Sequence, residues 1–146
     1  IHVFTQARHS DAITVLNPAP AAQLSDTLLA MCDIVVPNET ESEALGGTAH
    51  LLHAGAITVI TTLGARGAEI TNANSTVSIT PTQVRTIDTV GAGDAFVGAL
   101  CAELSRGQEI QLAAQTASIA GALATTIRGA VPSLPTRDAV TQHQAI

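Results

Sequence analysis

The chain has 146 residues, which is enough for one domain with a buried core and too few for two domains of ordinary size. It contains no lysine, so it has neither a Walker A loop, which needs Gly-Lys-Ser/Thr, nor the strand lysine of protein kinases. Its formal net charge of −6 argues against a nucleic-acid partner, and no apolar run is long enough to predict a membrane partner.

The first half of the chain alternates between strand and helix patterns. Residues 1–10 have the mixed character of a helix end. Apolar runs predict three buried strands, at residues 13–16, 34–36 and 57–61. Three helices are predicted beside them, at residues 23–32, 38–46 and 48–53. Two alternating runs then predict a hairpin, at residues 68–71 and 76–79.

The second half begins with a predicted strand at 84–87 and a glycine-rich turn. Two long helices follow, at residues 92–105 and 109–126, then a loop over 129–135 and a last helix from Thr136. This order predicts an α/β fold with a mainly parallel sheet flanked by helices and one small antiparallel hairpin. Because ligands bind such sheets at the carboxyl ends of the strands, we expect the site at three turns, residues 38–41, 62–67 and 88–94.

Composition also indicates the core and the compartment. Hydrophobic residues make up 46% of the chain and only two are aromatic, so the core must be aliphatic. No secretory signal is visible, so we expect a cytoplasmic protein in which Cys32 and Cys101 are reduced core thiols. His50 and His53 share a helix face but lack a further ligand nearby, so a metal role for this pair is disfavoured.

The glycine-rich turn carries the strongest chemical signal. Gly91 and Gly93 allow backbone conformations closed to other residues and let a ligand approach the main chain. The first N–H groups of the following helix have no intrahelical acceptor, so the turn can hold an oligophosphate. Asp94 lies where it can take a proton from a substrate hydroxyl. The alternative is that Asp94 only caps the helix.

Five segments of the chain resemble the ribokinase/PfkB family of carbohydrate kinases. They are DTVGAGD at 88–94, NPAPA at 17–21, NETE at 38–41, TLGARG at 62–67 and GAVPS at 129–133. They occur in the order of that family and extend across nearly the whole chain. The resemblance implies a Rossmann-like ribokinase fold, with ATP and Mg²⁺ as cofactors and a small sugar as substrate.

The resemblance also implies a role for individual residues. Asp94 would be the catalytic base, and Gly91, Ala92 and Gly93 would form the anion hole over the transferred phosphate. The nucleotide site would further include a set of turn and helix residues, namely Thr62, Leu63, Gly64, Ala65, Arg66, Gly67 and Ser118. For Arg66 a solvated turn charge is the favoured alternative.

Two more groups of residues follow from the same resemblance. Asn38 and Glu41 would contact phosphates and, through Glu41, the water shell of Mg²⁺; the alternative is a helix capping box without any ligand. A monovalent cation, K⁺, would be held by oxygen atoms of Asp88, Val90, Ala124, Ile127, Gly129 and Ser133. Asp88 has the alternative of capping its own turn.

Complete members of that family are considerably longer and carry an N-terminal half with a GGKGxN-type sugar-binding segment and a lid. Neither is found here, so we expect residues 1–146 to be the C-terminal nucleotide-binding and catalytic portion, inactive alone. The parent protein, whose family includes homodimers, would phosphorylate ribose to ribose 5-phosphate. The alternative is a function of another class, in which the chain is a non-catalytic nucleotide- or anion-binding module or a decayed half-kinase.

Overall fold

The computed structural model describes residues 1–144, which form two compact units. The first unit comprises Ile1–Leu63 and Glu69–Ser78. The second comprises Gly64–Ala68 and the described residues from Ile79 onward. No helix in the described range is both long enough and apolar enough to cross a membrane.

Five strands form one sheet in the order in which they occur along the chain. They are β1 (Val15–Leu16), β2 (Ile34–Val35), β3 (Thr58–Thr62), β4 (Ala68–Asn72) and β5 (Thr76–Ile79). The pairs β1–β2 and β2–β3 are parallel. The connections before β4 and β5 are too short for a parallel crossover, so the last two strands form the antiparallel part of the sheet.

Four helices belong to the first unit: α1 (His2–Ala7), α2 (Asp26–Leu29), α3 (Glu39–Ala44) and α4 (Thr48–His53). Its core is aliphatic, as predicted, and joins α2 and α4 to the sheet through Leu29, Leu51, Val35 and Val59. Cys32 lies in this core, and burial raises the pKa of its thiol to about 11. The thiol therefore stays protonated at neutral pH.

The second unit contains α5 (Ala92–Leu104), α6 (Ile110–Ala124), α7 (Ala130–Ser133) and α8 (Arg137–Gln144). Helices α5 and α6 pack against each other, and the buried face of α6 consists largely of alanine together with Gly121. Val140 of α8 packs against Ile119 and Ala120 of α6. Small side chains on α6 let the neighbouring backbones approach closely.

The structure corrects two predicted elements. Residues 84–87 form no strand, because the amide of Ile87 donates to the carbonyl of Thr125 at 2.7 Å rather than to another strand. The loop predicted over 129–135 contains the short helix α7. The other predicted strands and helices are present, and α4 and β5 have the predicted bounds while the ends of the others are shifted. Helix α2 is shorter than predicted, because Ser25 caps it and only Asp26–Leu29 is helical.

Candidate functional site

In the first unit, the carboxyl ends of the parallel strands lie side by side. Beyond β1, the side-chain amide of Asn17 donates to the carbonyl of Val36 at 2.7 Å. Beyond β2, the amide of Thr62 donates to the carbonyl of Pro37 at 2.9 Å, and Asn38 and Thr62 form a parallel bridge. Two residues assigned to the nucleotide site by their motifs, Asn38 and Thr62, are therefore neighbours.

Asn38 and Glu41 form the capping box that the sequence offered as their alternative role. The Asn38 side chain accepts the amide of Glu41 at 2.8 Å, and the Glu41 carboxylate accepts the amide of Asn38 at 2.8 Å through Oε2. No hydrogen bond from a described residue reaches the second carboxylate oxygen, Oε1. The cap thus leaves Oε1 of Glu41 free to accept hydrogen bonds from water molecules that coordinate a magnesium ion.

The turn after β3 begins the second unit with a short 3₁₀ helix, Gly64–Arg66. Gly67 follows with a φ of 87° and is buried, and a side chain there would collide with the carbonyl oxygen of Ile79. Ala65 and Arg66 are exposed, and Leu63, the last residue before the turn, is half-buried. The glycine at 67 is therefore required by the packing of the turn itself.

The glycine-rich turn leads into α5 with several main-chain donors unoccupied. Gly91 is the N-cap and has a left-handed φ of 82°. The amide of Ala92 donates to the carbonyl of Thr89 at 3.2 Å, whereas the amides of Gly91, Gly93 and Asp94 donate to no described residue. These free N–H groups lie at the positive end of a 13-residue helix, which suits them to bind phosphate oxygens.

Asp94 is the third residue of α5 and is exposed. Its carboxylate makes no capping hydrogen bond and no ion pair with a described residue. The capping alternative for Asp94 is therefore not realised. An exposed carboxylate beside free amides can accept a proton from a hydroxyl that approaches a bound phosphate.

Asp88 connects the glycine-rich turn to the loop before α7. Its two carboxylate oxygens accept the amide of Gly129 at 2.9 Å and the amide of Val90 at 3.1 Å. These hydrogen bonds, that of Gly129 first, hold the pKa of the Asp88 carboxyl below its ordinary value of 3.8, and the Arg128 charge contributes. Asp88 thus caps its own turn, as the alternative stated, and also clamps a loop 41 residues away.

The proposed monovalent-cation residues all belong to the second unit. Four residues of this set would contribute their main-chain carbonyl oxygens, and these oxygens accept no hydrogen bond from the described residues. They are the carbonyl oxygens of Val90, Ala124, Ile127 and Gly129. The hydroxyl of Ser133 donates to the carbonyl of Ala130 at 2.8 Å, which leaves its lone pairs available. Hydrogen bonds join Asp88 to Val90 and Gly129 of this set. Free carbonyl oxygens and a carboxylate are chemically suited to a hard cation, because such ions prefer oxygen ligands.

The remaining predicted residues are more isolated. Ser118 is buried near the middle of α6. His50 and His53 are exposed on α4, and no group of three potential metal-binding side chains occurs in residues 1–144. Within each unit the structure brings together Asn38, Glu41 and Thr62, and separately the residues around Asp88 and Gly91.

Two residues around the glycine-rich turn were missed by sequence reasoning. The carbonyl of Thr125 accepts the amides of Ile87 and Asp88 at 2.7 and 3.0 Å. Gly121 lies against the carbonyl of Ala92, the first residue of α5. Neither carries a motif, since a threonine after a helix and a glycine among alanines are both common.

The chain is similar to known carbohydrate kinases. A family model described as pfkB family carbohydrate kinase matches residues 1–137. The ribokinase of Staphylococcus aureus (strain COL) is 36% identical over 155 aligned residues, which cover 97% of this chain and 51% of that protein. The chain therefore spans about half the length of the curated relatives it matches.

Solved structures share the fold. The ribokinase of Thermotoga maritima superposes with a TM-score of 0.91 at 29% identity, covering 99% of this chain and 52% of that one. The Arabidopsis thaliana ribokinase complexed with ribose and ATP gives 0.86 at 25% identity, covering 99% and 51%. An Escherichia coli protein assigned as ribokinase II, in complex with ATP and Mg²⁺, gives 0.76 at 30% identity, covering 82% and 41%. The Rossmann-like ribokinase fold expected from the motifs is thereby confirmed.

Proposed function

Because this chain belongs to the pfkB family of carbohydrate kinases, we propose that it is the nucleotide-binding and catalytic half of an ATP-dependent sugar kinase. The proposed reaction converts ribose to ribose 5-phosphate. Ribose as substrate is supported by the ribokinase relatives and by a structural neighbour that holds ribose and ATP. The observation that carries the proposal is the free carboxylate of Asp94 beside the free amides of α5.

Each residue around the turn then has a task in phosphoryl transfer. Asp94 accepts the proton of the sugar hydroxyl as its oxygen attacks the γ-phosphorus, and the bond to the β-phosphate oxygen breaks to release ADP. The amides of Gly91, Gly93 and Asp94 donate to phosphate oxygens on which negative charge accumulates. The amide of Ala92 joins them only if its weak 3.2 Å bond to Thr89 opens.

Metal ions would be held by the residues that have free oxygens. Glu41 would orient the water shell of Mg²⁺ through Oε1 while Oε2 keeps the cap of α3 in place. Bound Mg²⁺ offsets the charge of the phosphates. Asp88 and the free carbonyls around it would hold K⁺ beside the anion hole.

The variant Asp94→Asn tests the proposal in the complete protein of which this chain would be one half. Removing the base should lower kcat for ribose phosphorylation by about 10²- to 10⁴-fold, while the Kd for MgATP stays unchanged. Asp138→Asn is the matched control, because it removes the same charge from the first turn of α8. Unchanged turnover in Asp94→Asn would remove this residue from the mechanism and favour a non-catalytic nucleotide-binding module.

A further inference from the structure

Helix α6 contacts the glycine-rich turn on both sides of the anion hole. Before the turn, the carbonyl of Thr125 at the end of α6 accepts the amides of Ile87 and Asp88. After the turn, Gly121 of α6 lies against Ala92, where α5 begins. The turn is therefore fixed at its entry and at its exit by the last part of one helix.

Gly121 is a glycine because of close packing and not because of its backbone conformation. Its φ is not in the left-handed region, and it lies inside a 15-residue helix, where glycine is ordinarily less favourable than alanine. A Cβ placed there would lie 3.2 Å from the carbonyl oxygen of Ala92 and 3.5 Å from Cβ of Phe96. The first of these separations is tighter than an ordinary contact, so an added methyl group requires a shift of a few tenths of an ångström.

That shift would fall on the residues proposed to hold phosphate. Ala92 is the first residue of α5, and Gly93 and Asp94, with their free amides, follow it directly. The contact atom is a main-chain oxygen, which cannot rotate away as a side chain could. Moving it therefore moves the start of α5 relative to the Asp88 clamp and the Thr125 carbonyl, which hold the other end of the turn.

We propose that Gly121 is a positioning residue that sets the placement of the phosphate-binding amides of Gly93 and Asp94. The inference rests on the proposed function, since it concerns the same nucleotide phosphates. Gly121 would act through the carbonyl of Ala92, against which it packs. Phosphate binding is sensitive to such placement, because the hydrogen bonds that N–H groups donate weaken steeply outside their preferred distances and angles.

The test compares Gly121→Ala with Gly98→Ala in the isotope-labelled chain. Gly98 is the matched control, because it lies in α5, is exposed and has nothing within 4 Å of an added Cβ. Both changes raise helix propensity, so we expect both variants to fold. Thermal unfolding checks that they do. The Kd for MgATP and the backbone amide signals of Gly93 and Asp94 are then measured in all three proteins.

We expect Gly121→Ala to weaken MgATP binding by about tenfold and to shift the Gly93 and Asp94 amide signals before any nucleotide is added. Gly98→Ala should leave the affinity and both signals near their wild-type values. Wild-type affinity and wild-type signals in Gly121→Ala would overturn the inference alone. Absence of MgATP binding by the unsubstituted chain would instead overturn the proposed function, and the inference with it.

Discussion

At the scale of single residues, Asp94 and Asp88 show how two acids in one turn receive different tasks. Asp94 keeps both carboxylate oxygens free and faces solvent, so it can exchange a proton with a substrate. Asp88 uses its two oxygens to bind the amides of Val90 and Gly129. The hydrogen bonds of Asp88 stabilise its charged form, and this makes it an anchor and a poor proton acceptor.

The lowered pKa of Asp88 predicts how stability depends on pH. The pKa of Asp88 is lower in the folded chain than in the unfolded one, where it has its ordinary value of 3.8. At pH values above that ordinary pKa, the charged carboxylate therefore stabilises the fold. That contribution is lost as the pH falls through the folded pKa. We therefore expect Asp88→Asn to unfold more readily than the wild type near neutral pH, with the difference shrinking in acid.

Urea unfolding of the two proteins from neutral pH down to below 3.8 measures this difference. Thr89→Ala is the control, because it changes an exposed neighbour in the same turn without removing a charge. A difference between Asp88→Asn and wild type that stays constant over the whole range would show that the charge of Asp88 does not support the fold.

At the scale of elements, Glu41 in the first turn of α3 has a structural role in the helix cap and a proposed functional role at the magnesium site. Glutamine at the third position of a helix supports a capping box as glutamate does, but it carries no charge. Glu41→Gln should therefore change the free energy of unfolding by less than about 1 kcal/mol. It should also weaken MgATP binding by about tenfold, the equivalent of ~1.4 kcal/mol, because the magnesium water shell loses a carboxylate.

Asn38→Ala is the comparison for Glu41→Gln, because it removes the side-chain acceptor of the same cap and should cost about 1 kcal/mol of stability. Urea unfolding and calorimetric titration with MgATP measure both quantities in both variants. If Glu41→Gln binds MgATP as the wild type does, Glu41 serves only to cap α3.

Elements whose signals are local were predictable from the sequence. Helix α4 has the predicted bounds, the hairpin β4–β5 follows its alternating pattern, and the α3 capping box follows from Asn38 and Glu41. The strand predicted at 84–87 was wrong, because a strand needs a partner, and the Ile87 amide is bound by Thr125 instead. A local residue pattern does not specify which distant carbonyl group will accept a hydrogen bond from a given amide.

The same distinction applies to the candidate site. The glycine-rich turn and its acid could be found from their own residues, since free amides and φ values depend on a few neighbours. The family resemblance placed Asp88 and Gly129 around one cation, but the hydrogen bond between them could not be predicted, and neither could the contact between Gly121 and Ala92. Each joins segments about 30 or more residues apart in the chain, and each depends on how α5 and α6 pack.

At the scale of the whole molecule, the chain contains the proposed nucleotide-binding parts but only about half the length of its relatives. Phosphoryl transfer requires that two substrates be held together and that water be excluded. The described residues include free amides, acids and carbonyls, which we propose bind the nucleotide and the metal ions. We therefore expect this chain alone to bind MgATP and to leave ribose unphosphorylated.

The most direct test of this account follows the amide signals of the isotope-labelled chain while MgATP and then ribose are added. We expect the signals of Gly93 and Asp94 to shift with MgATP, and no ADP to form when ribose is then added. Shifts confined to other parts of the chain, or no shifts at all, would contradict the central claim that the free amides at the start of α5 bind the nucleotide phosphates.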